Sequence, residues 1–155
     1  MTHAGSPSIA KLVDYYERAA RTMRGLPMYH AALAVEAVGF REHEGRLVGV
    51  IVTPWFMNVT VLPSAADLDT WRKGSIASLA FPSGRYDFAI GDAGDNGLIA
   101  TCSLFSLMHD FADQPAARGA ALAAAEALHD PPASPQPVES KPSRAISRRR
   151  FLRGG

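Results

Sequence analysis

Cys102, His109, Asp110 and Asp113 fall within one stretch, CSLFSLMHDFAD, and they are the side-chain types that thiol hydrolysis uses. A cysteine nucleophile needs a base to take its proton and preorganised donors to hold the developing oxyanion. The second requirement has no counterpart in the sequence. Cys102 sits within an apolar run with no glycine-rich turn beside it. A buried structural cysteine is therefore the stronger reading, and a thiol hydrolase built on Cys102 and His109 the weaker one.

Metal chemistry has less support. The one cysteine and the histidines His3, His30, His43, His109 and His129 show no Cys-x-x-Cys or His-x-x-x-His spacing. Asp92, Asp95 and Asn96 in GDAGDNG partly match a calcium loop, but the EF-hand glycine position and the closing glutamate are missing. Gly91, Gly94 and Gly97 lack the lysine of a phosphate loop and open no helix. A solvated turn accounts for the segment. No catalytic residue, metal or cofactor is expected.

Binding chemistry is better represented. In Thr53-Pro54-Trp55-Phe56-Met57-Asn58-Val59 the proline cannot donate to a ladder, so it should break or bulge a strand. Strand alternation would then point Trp55 and Met57 to one face, Phe56 and Asn58 to the other. One face could be an apolar peptide-binding surface with Met57 as an adaptable contact; the plain alternative is that all three large side chains are core.

The C-terminus carries another pattern. Ser147-Arg148-Arg149-Arg150-Phe151-Leu152-Arg153 matches the twin-arginine export motif S-R-R-x-F-L-K at every position but the last, where arginine keeps the charge of lysine. An export signal requires an apolar segment after the motif, and only Gly154 and Gly155 follow, so ordinary export is not expected. The alternatives are a basic tail or a tethered mimic of a partner's signal peptide, carried by Ser147, Arg148, Arg149, Phe151 and Leu152.

Charge is divided along the chain. Residues 139–155 hold six basic side chains against Glu139, which leaves −4 on residues 1–138 of a chain whose formal charge is +1. An acidic body suits a basic-peptide partner and disfavours nucleic acid. No apolar run of about 18 residues exists, so membrane insertion is not expected. The N-terminus lacks a basic segment followed by an apolar one, and a single cysteine allows no internal disulfide. A cytoplasmic location follows as the expectation.

These residues need elements to position them. Ser6 and Pro7 start a helix that Gly25 and Pro27 stop, with Ile9, Leu12, Val13, Tyr16, Ala20 and Met23 as its apolar stripe. From Leu33 to Phe105 the period becomes extended. ALAVEAVGF, RLVGVIVT, MNVTVL, Ser75–Ala80, Arg85–Ile90 and Leu98–Phe105 read as strands joined by short turns, hence antiparallel. The polar stretch SAADLDTWRKG between two of them has no assigned element. Met108 and Phe111 resume a helical pattern, and Asp113 is placed to cap residues 114–128, with Leu122, Ala125 and Leu128 toward the sheet. The expected architecture is α+β: an antiparallel sheet with an N-terminal and a C-terminal helix packed on it. Residues 1–130 form the domain, and 131–155 a proline-rich linker with a basic tail.

VEAVGF, GVIVTPWFMNVTVLP, FPSGRYDFAIG and TCSLFSLMHDFAD, in that order, resemble the blocks of the HybE/HupJ family of nickel–iron hydrogenase assembly chaperones. The likeness runs from about Leu33 to Leu128. Leu107 departs from it, since the family pattern has proline there. The resemblance implies a non-catalytic protein that engages the hydrogenase small-subunit precursor with its twin-arginine signal peptide, and sometimes the large subunit, delaying export until assembly is complete. On this reading the candidate client contacts are Trp55, Phe56, Met57, Asn58, Phe105 and Phe111, with Asp110 and Asp113 as candidates for the arginine pair. The alternative among binding proteins is a large-subunit or rubredoxin-associated factor that protects the maturing enzyme from oxygen.

Overall fold

A computed structural model describes residues 6–131. The order of elements is α1 (Pro7–Met23), β1 (Glu36–His43), β2 (Arg46–Val52), β3 (Met57–Leu62), α2 (Ala65–Thr70), β4 (Ile76–Phe81), β5 (Gly84–Asp92), β6 (Leu98–Phe105) and α3 (Gln114–Leu128). The strands form one antiparallel sheet in the order β1-β2-β3-β6-β5-β4. The α+β architecture expected from the sequence is the one observed.

Strand alternation sorts the core. Every strand contributes to one face, with the alternation interrupted by bulges in β1 and β6: Val38, Val50, Met57, Leu79, Phe88 and Cys102 lie there among others. The buried alanines Ala117, Ala121, Ala124 and Ala125 of α3 pack against them. Alanine lets the helix approach the sheet closely. The opposite face carries Ile51 and Ile99 under Ile9, Leu12 and Tyr16 of α1. Leu122 departs from its expected inward position and is 43% exposed.

Two glycines permit this packing. Gly39, at φ +66°, begins a bulge in β1 between Val38 and Arg41, and a Cβ there would lie 2.8 Å from Ala125 Cβ. The bulge turns Phe40 to the α1 face. Its ring then lies over Gly49, where a Cβ would overlap the ring carbons. The sheet is strongly curled, because His43 on edge strand β1 stacks on Phe81 of edge strand β4, with ring centroids 5.2 Å apart.

The polar stretch after Pro63 forms a short helix that the sequence reading did not assign. Ser64 and Asp67 make a reciprocal capping box. Asp67 also accepts two hydrogen bonds from Arg46, at 2.7 and 2.8 Å. That guanidinium, opposed by burial and helped by Ser64, holds the Asp67 carboxyl down at about 2. Residues 106–112 differ as well: Met108 is buried and Phe111 N–H donates to its carbonyl, but the segment is a loop and the helix starts at Gln114. Asp113 caps that helix as expected, accepting from Ala116 N–H at 3.0 Å.

Candidate functional site

The two segments singled out in the sequence are neighbours. β3 and β6 pair directly, with Asn58 opposite Ser103, Val59 opposite Cys102 and Met57 opposite Phe105. The register shifts between Met57 and Asn58, so Leu104 is an extra residue that bends the end of β6. Both segments therefore end at the same edge of the molecule.

Pro54 breaks the ladder between β2 and β3, and Thr53 rebuilds the lost bonding. Thr53 Oγ1 accepts from the N–H groups of Trp55 and Phe56, at 3.1 and 2.9 Å, and Thr53 N–H donates to the Phe56 carbonyl at 2.8 Å. Because Trp55 and Phe56 sit in this turn rather than in a strand, simple alternation fails. Both are half-buried on the α1 side, and Trp55 does not share a face with Met57. Met57 is fully buried in the opposite core, where it supports the turn from within. Asn58 is half-buried.

From the buried Tyr16 outward, half-buried rings form a ladder. Tyr16 meets Phe56 edge-on at 5.5 Å, Phe56 meets Trp55 at 5.5 Å, and Trp55 stacks on Tyr29 at 6.3 Å. Burial pushes the Tyr16 hydroxyl up to about 12, so it stays neutral. At the same end of the sheet but packed on the α3-side core, Phe105 and Phe111 meet edge-on at 5.0 Å and are both half-buried. Asp110 is exposed, and Asp113 is exposed with one oxygen engaged at the cap.

His30 connects the two halves. Its backbone N–H donates to the Pro54 carbonyl at 2.8 Å, and its Nε2 lies 2.7 Å from the Phe111 carbonyl. A carbonyl only accepts, so Nε2 carries the hydrogen. Nδ1 is then free to accept from Ala32 N–H at 3.4 Å, and the neutral ring has a partner on both sides. It also lies parallel to His109, centroids 5.4 Å apart. Gln114 fixes the same crossing segment: its amide accepts from Ala34 N–H and donates to the Ala34 carbonyl and to Glu36. Burial would raise the Glu36 carboxyl, but hydrogen bonds from Arg118 and Gln114 hold it below the usual carboxylate range. Tyr29 and His30 lie far from either motif in the sequence, and Gln114, directly after Asp113, carried no signal of its own.

The chemistry is that of a surface for binding. Cys102 is buried on the α3 side, whereas His109 is exposed and stacked on His30, so no cysteine–histidine couple forms between them. Among the described residues no group of three or more histidine, cysteine, aspartate or glutamate side chains could hold a metal. GDAGDNG makes a 3-10 turn, Gly94–Asn96, and Asn96 donates to the Lys11 carbonyl, tying the turn to α1. Ser147, Arg148, Arg149, Phe151 and Leu152, with the linker before them, lie outside the described residues.

Residues 8–154 match the family model described as "[NiFe]-hydrogenase assembly, chaperone, HybE". The chain belongs to the HybE family of assembly chaperones. It is 49% identical over 143 residues to the "Hydrogenase expression/formation protein HupJ" of Bradyrhizobium diazoefficiens, covering 91% of this chain and 83% of that one. It is also 43% identical over 106 residues to the "Probable rubredoxin HupJ" of Rhodobacter capsulatus, covering 68% of this chain and 38% of that longer protein. The solution structure of HybE from Escherichia coli superposes with a TM-score of 0.61 at 20% identity, covering 94% of this chain and 96% of that one, which establishes the shared fold. Membership in the HybE family makes this chain a hydrogenase assembly chaperone and not an enzyme. No helix among its described residues is long and apolar enough to cross a membrane.

Proposed function

We propose that this HybE-family chaperone holds the hydrogenase small-subunit precursor in the cytoplasm through its twin-arginine signal peptide, delaying export until assembly is complete. The supporting observation is the convergence of Trp55, Phe56, Phe105 and Phe111 at one end of the sheet, tied together by His30. Half-exposed aromatics in a fixed frame anchor an apolar peptide segment. Asp110 and Asp113 offer carboxylates to the paired arginines that precede it. Asn58 and Met57 hold the surface from below. The large subunit is a further client of the same surface in some assemblies.

The C-terminal SRRRFLR segment acts as a tethered competitor for this site. About seventeen residues separate Asp130 from Ser147, and a chain of that length can reach at most about 55 Å at about 3.3 Å per residue, enough to span a domain of this size.

A second reading has one observation behind it. A relative named as a probable rubredoxin matches this chain over only 38% of its own length. A chaperone domain joined to, or working beside, a rubredoxin would protect the maturing enzyme from oxygen. Co-purification separates the readings. Under the first, a precursor with its signal peptide is retained and one with the signal peptide deleted is not. Under the second, retention is indifferent to the deletion.

A further inference from the structure

A groove of about 440 Å³ runs beside the aromatic ladder, between the C-terminal half of α1 and residues 31–35. Arg21 and Arg24 stand on its helical wall, with Tyr29 and Pro54 at one end. Arg21 lies in the last turn of α1 and Arg24 is the capping residue just after it, and both line the groove. Both side chains are exposed, and neither has an ion-pair or side-chain hydrogen-bond partner among the described residues. Arg18, on the same helix, is by contrast paired with Asp14 at 3.0 Å.

The helix dipole explains one basic residue in the last turn of α1. It does not explain an open groove with two unpaired guanidinium groups on its wall. The opposite wall is equally open, because Ala31 and Ala34 are exposed and end at Cβ. We infer that this groove docks an acidic stretch of a partner polypeptide, with Arg21 and Arg24 each receiving a side-chain carboxylate. Arginine forks match carboxylates in two-point geometry, and two arginines on one wall suit two acids spaced along an extended segment.

Charge selects a peptide over nucleic acid. Glu17 lies on the same wall and leaves the groove with a net charge of only +1. A phosphodiester backbone carries a charge at every unit and would meet the acidic body all along its length, whereas a peptide with two acids confines its negative charge to the two arginines. The inference goes beyond the twin-arginine reading. The groove shares Tyr29 and Pro54 with that surface but selects the opposite charge, so a client lying across both would carry its acids and its arginine pair on opposite sides of the Tyr29–Trp55 stack.

The test uses the full chain and two labelled hexapeptides, Ala-Glu-Ala-Leu-Glu-Ala and its counterpart with lysine at both glutamate positions. Proton–nitrogen NMR should show saturable shifts at the amides of Ala31, Ala34 and Val35 and at the side chains of Arg21 and Arg24, with the glutamate peptide only. Arg21→Ala combined with Arg24→Ala should weaken binding at least tenfold without moving the Trp55 indole signal of the unbound protein. Equal affinity in the double variant overturns the inference. So does equal response to the lysine peptide, or displacement of the glutamate peptide by a short oligonucleotide at lower concentration than by free glutamate peptide. Neither peptide carries an arginine pair. Failure here combined with normal binding of a twin-arginine peptide would remove the groove and leave the proposed function standing; the converse result would do the reverse.

Discussion

His30 donates from Nε2 to the Phe111 carbonyl, 2.7 Å away and 81 residues along the chain. The same residue donates its backbone N–H to Pro54. One residue thus fixes the aromatic turn after β2 relative to the loop after β6. His30→Ala removes the side-chain bond and leaves the part-buried Phe111 carbonyl without that partner, which costs about 1–3 kcal/mol of stability. Binding of a client that spans both halves should fall with it. His30→Gln, whose amide can still donate, should recover part of both losses. Urea unfolding and peptide titration of the two variants measure this; equal stability for wild type and His30→Ala would contradict the coupling.

Charge supplies a second expectation. If Asp110 and Asp113 receive the paired arginines, client affinity weakens as salt rises. Replacing the client's two arginines with lysines weakens it too, because lysine cannot form the two-point fork. Asp110→Asn should reproduce most of the salt effect without destabilising the fold, since Asp110 caps nothing among the described residues. Asp113→Asn keeps an N-cap residue of comparable strength. An affinity indifferent to salt and to these substitutions would indicate a purely apolar contact.

The seam where the sheet curls on itself should be acid-sensitive. His129 lies against Phe81 and His43, with centroids 5.9 and 5.2 Å away, and its Nδ1 is buried with no hydrogen-bond partner. Burial, with Arg41 and His43 nearby and only Asp130 opposing, lowers its pKa to about 4. The unfolded chain takes up this proton near pH 6.5, before the folded one does, so the unfolded state gains as pH falls. His129 therefore leaves stability intact above about pH 6.5 and lowers it progressively toward pH 4. Thermal melts of wild type and His129→Phe across that window should differ in slope; parallel curves would contradict the assignment.

Much of this fold was legible in the sequence, and the exceptions have physical causes. The helices α1 and α3 and all six strands follow from apolar period and turn residues. α2 was missed because six residues are too few to show an apolar period and it depends on the Ser64–Asp67 box and on Arg46, a partner 21 residues away from Asp67. The helix expected at Met108 fails because Met108 is drawn into the core as a loop anchor, and Asp113 supplies the cap that starts the helix later. Trp55 was placed on the wrong side because alternation applies only to extended chain, and Thr53 holds residues 53–56 in a turn. The convergence of the two motifs rests on β3–β6 pairing and on His30, and neither leaves a local pattern to read.

The tail gives a fourth expectation. Tethering sets an effective concentration near the millimolar range, so a weak self-contact would be substantially occupied. Deleting residues 140–155 should tighten binding of an added twin-arginine peptide severalfold. Arg148→Ala with Arg149→Ala should match the deletion. Equal affinities in full-length and shortened proteins would leave SRRRFLR as a tail with no part in client binding.

The most direct test of the account is calorimetric titration of a twin-arginine signal peptide into wild type, Trp55→Ala and Phe56→Ala proteins, with circular dichroism confirming that each variant is folded. If these rings anchor the client, at least one substitution weakens binding by about 1–3 kcal/mol. If both variants stay folded and bind the peptide as wild type does, the aromatic turn is not the client-binding surface.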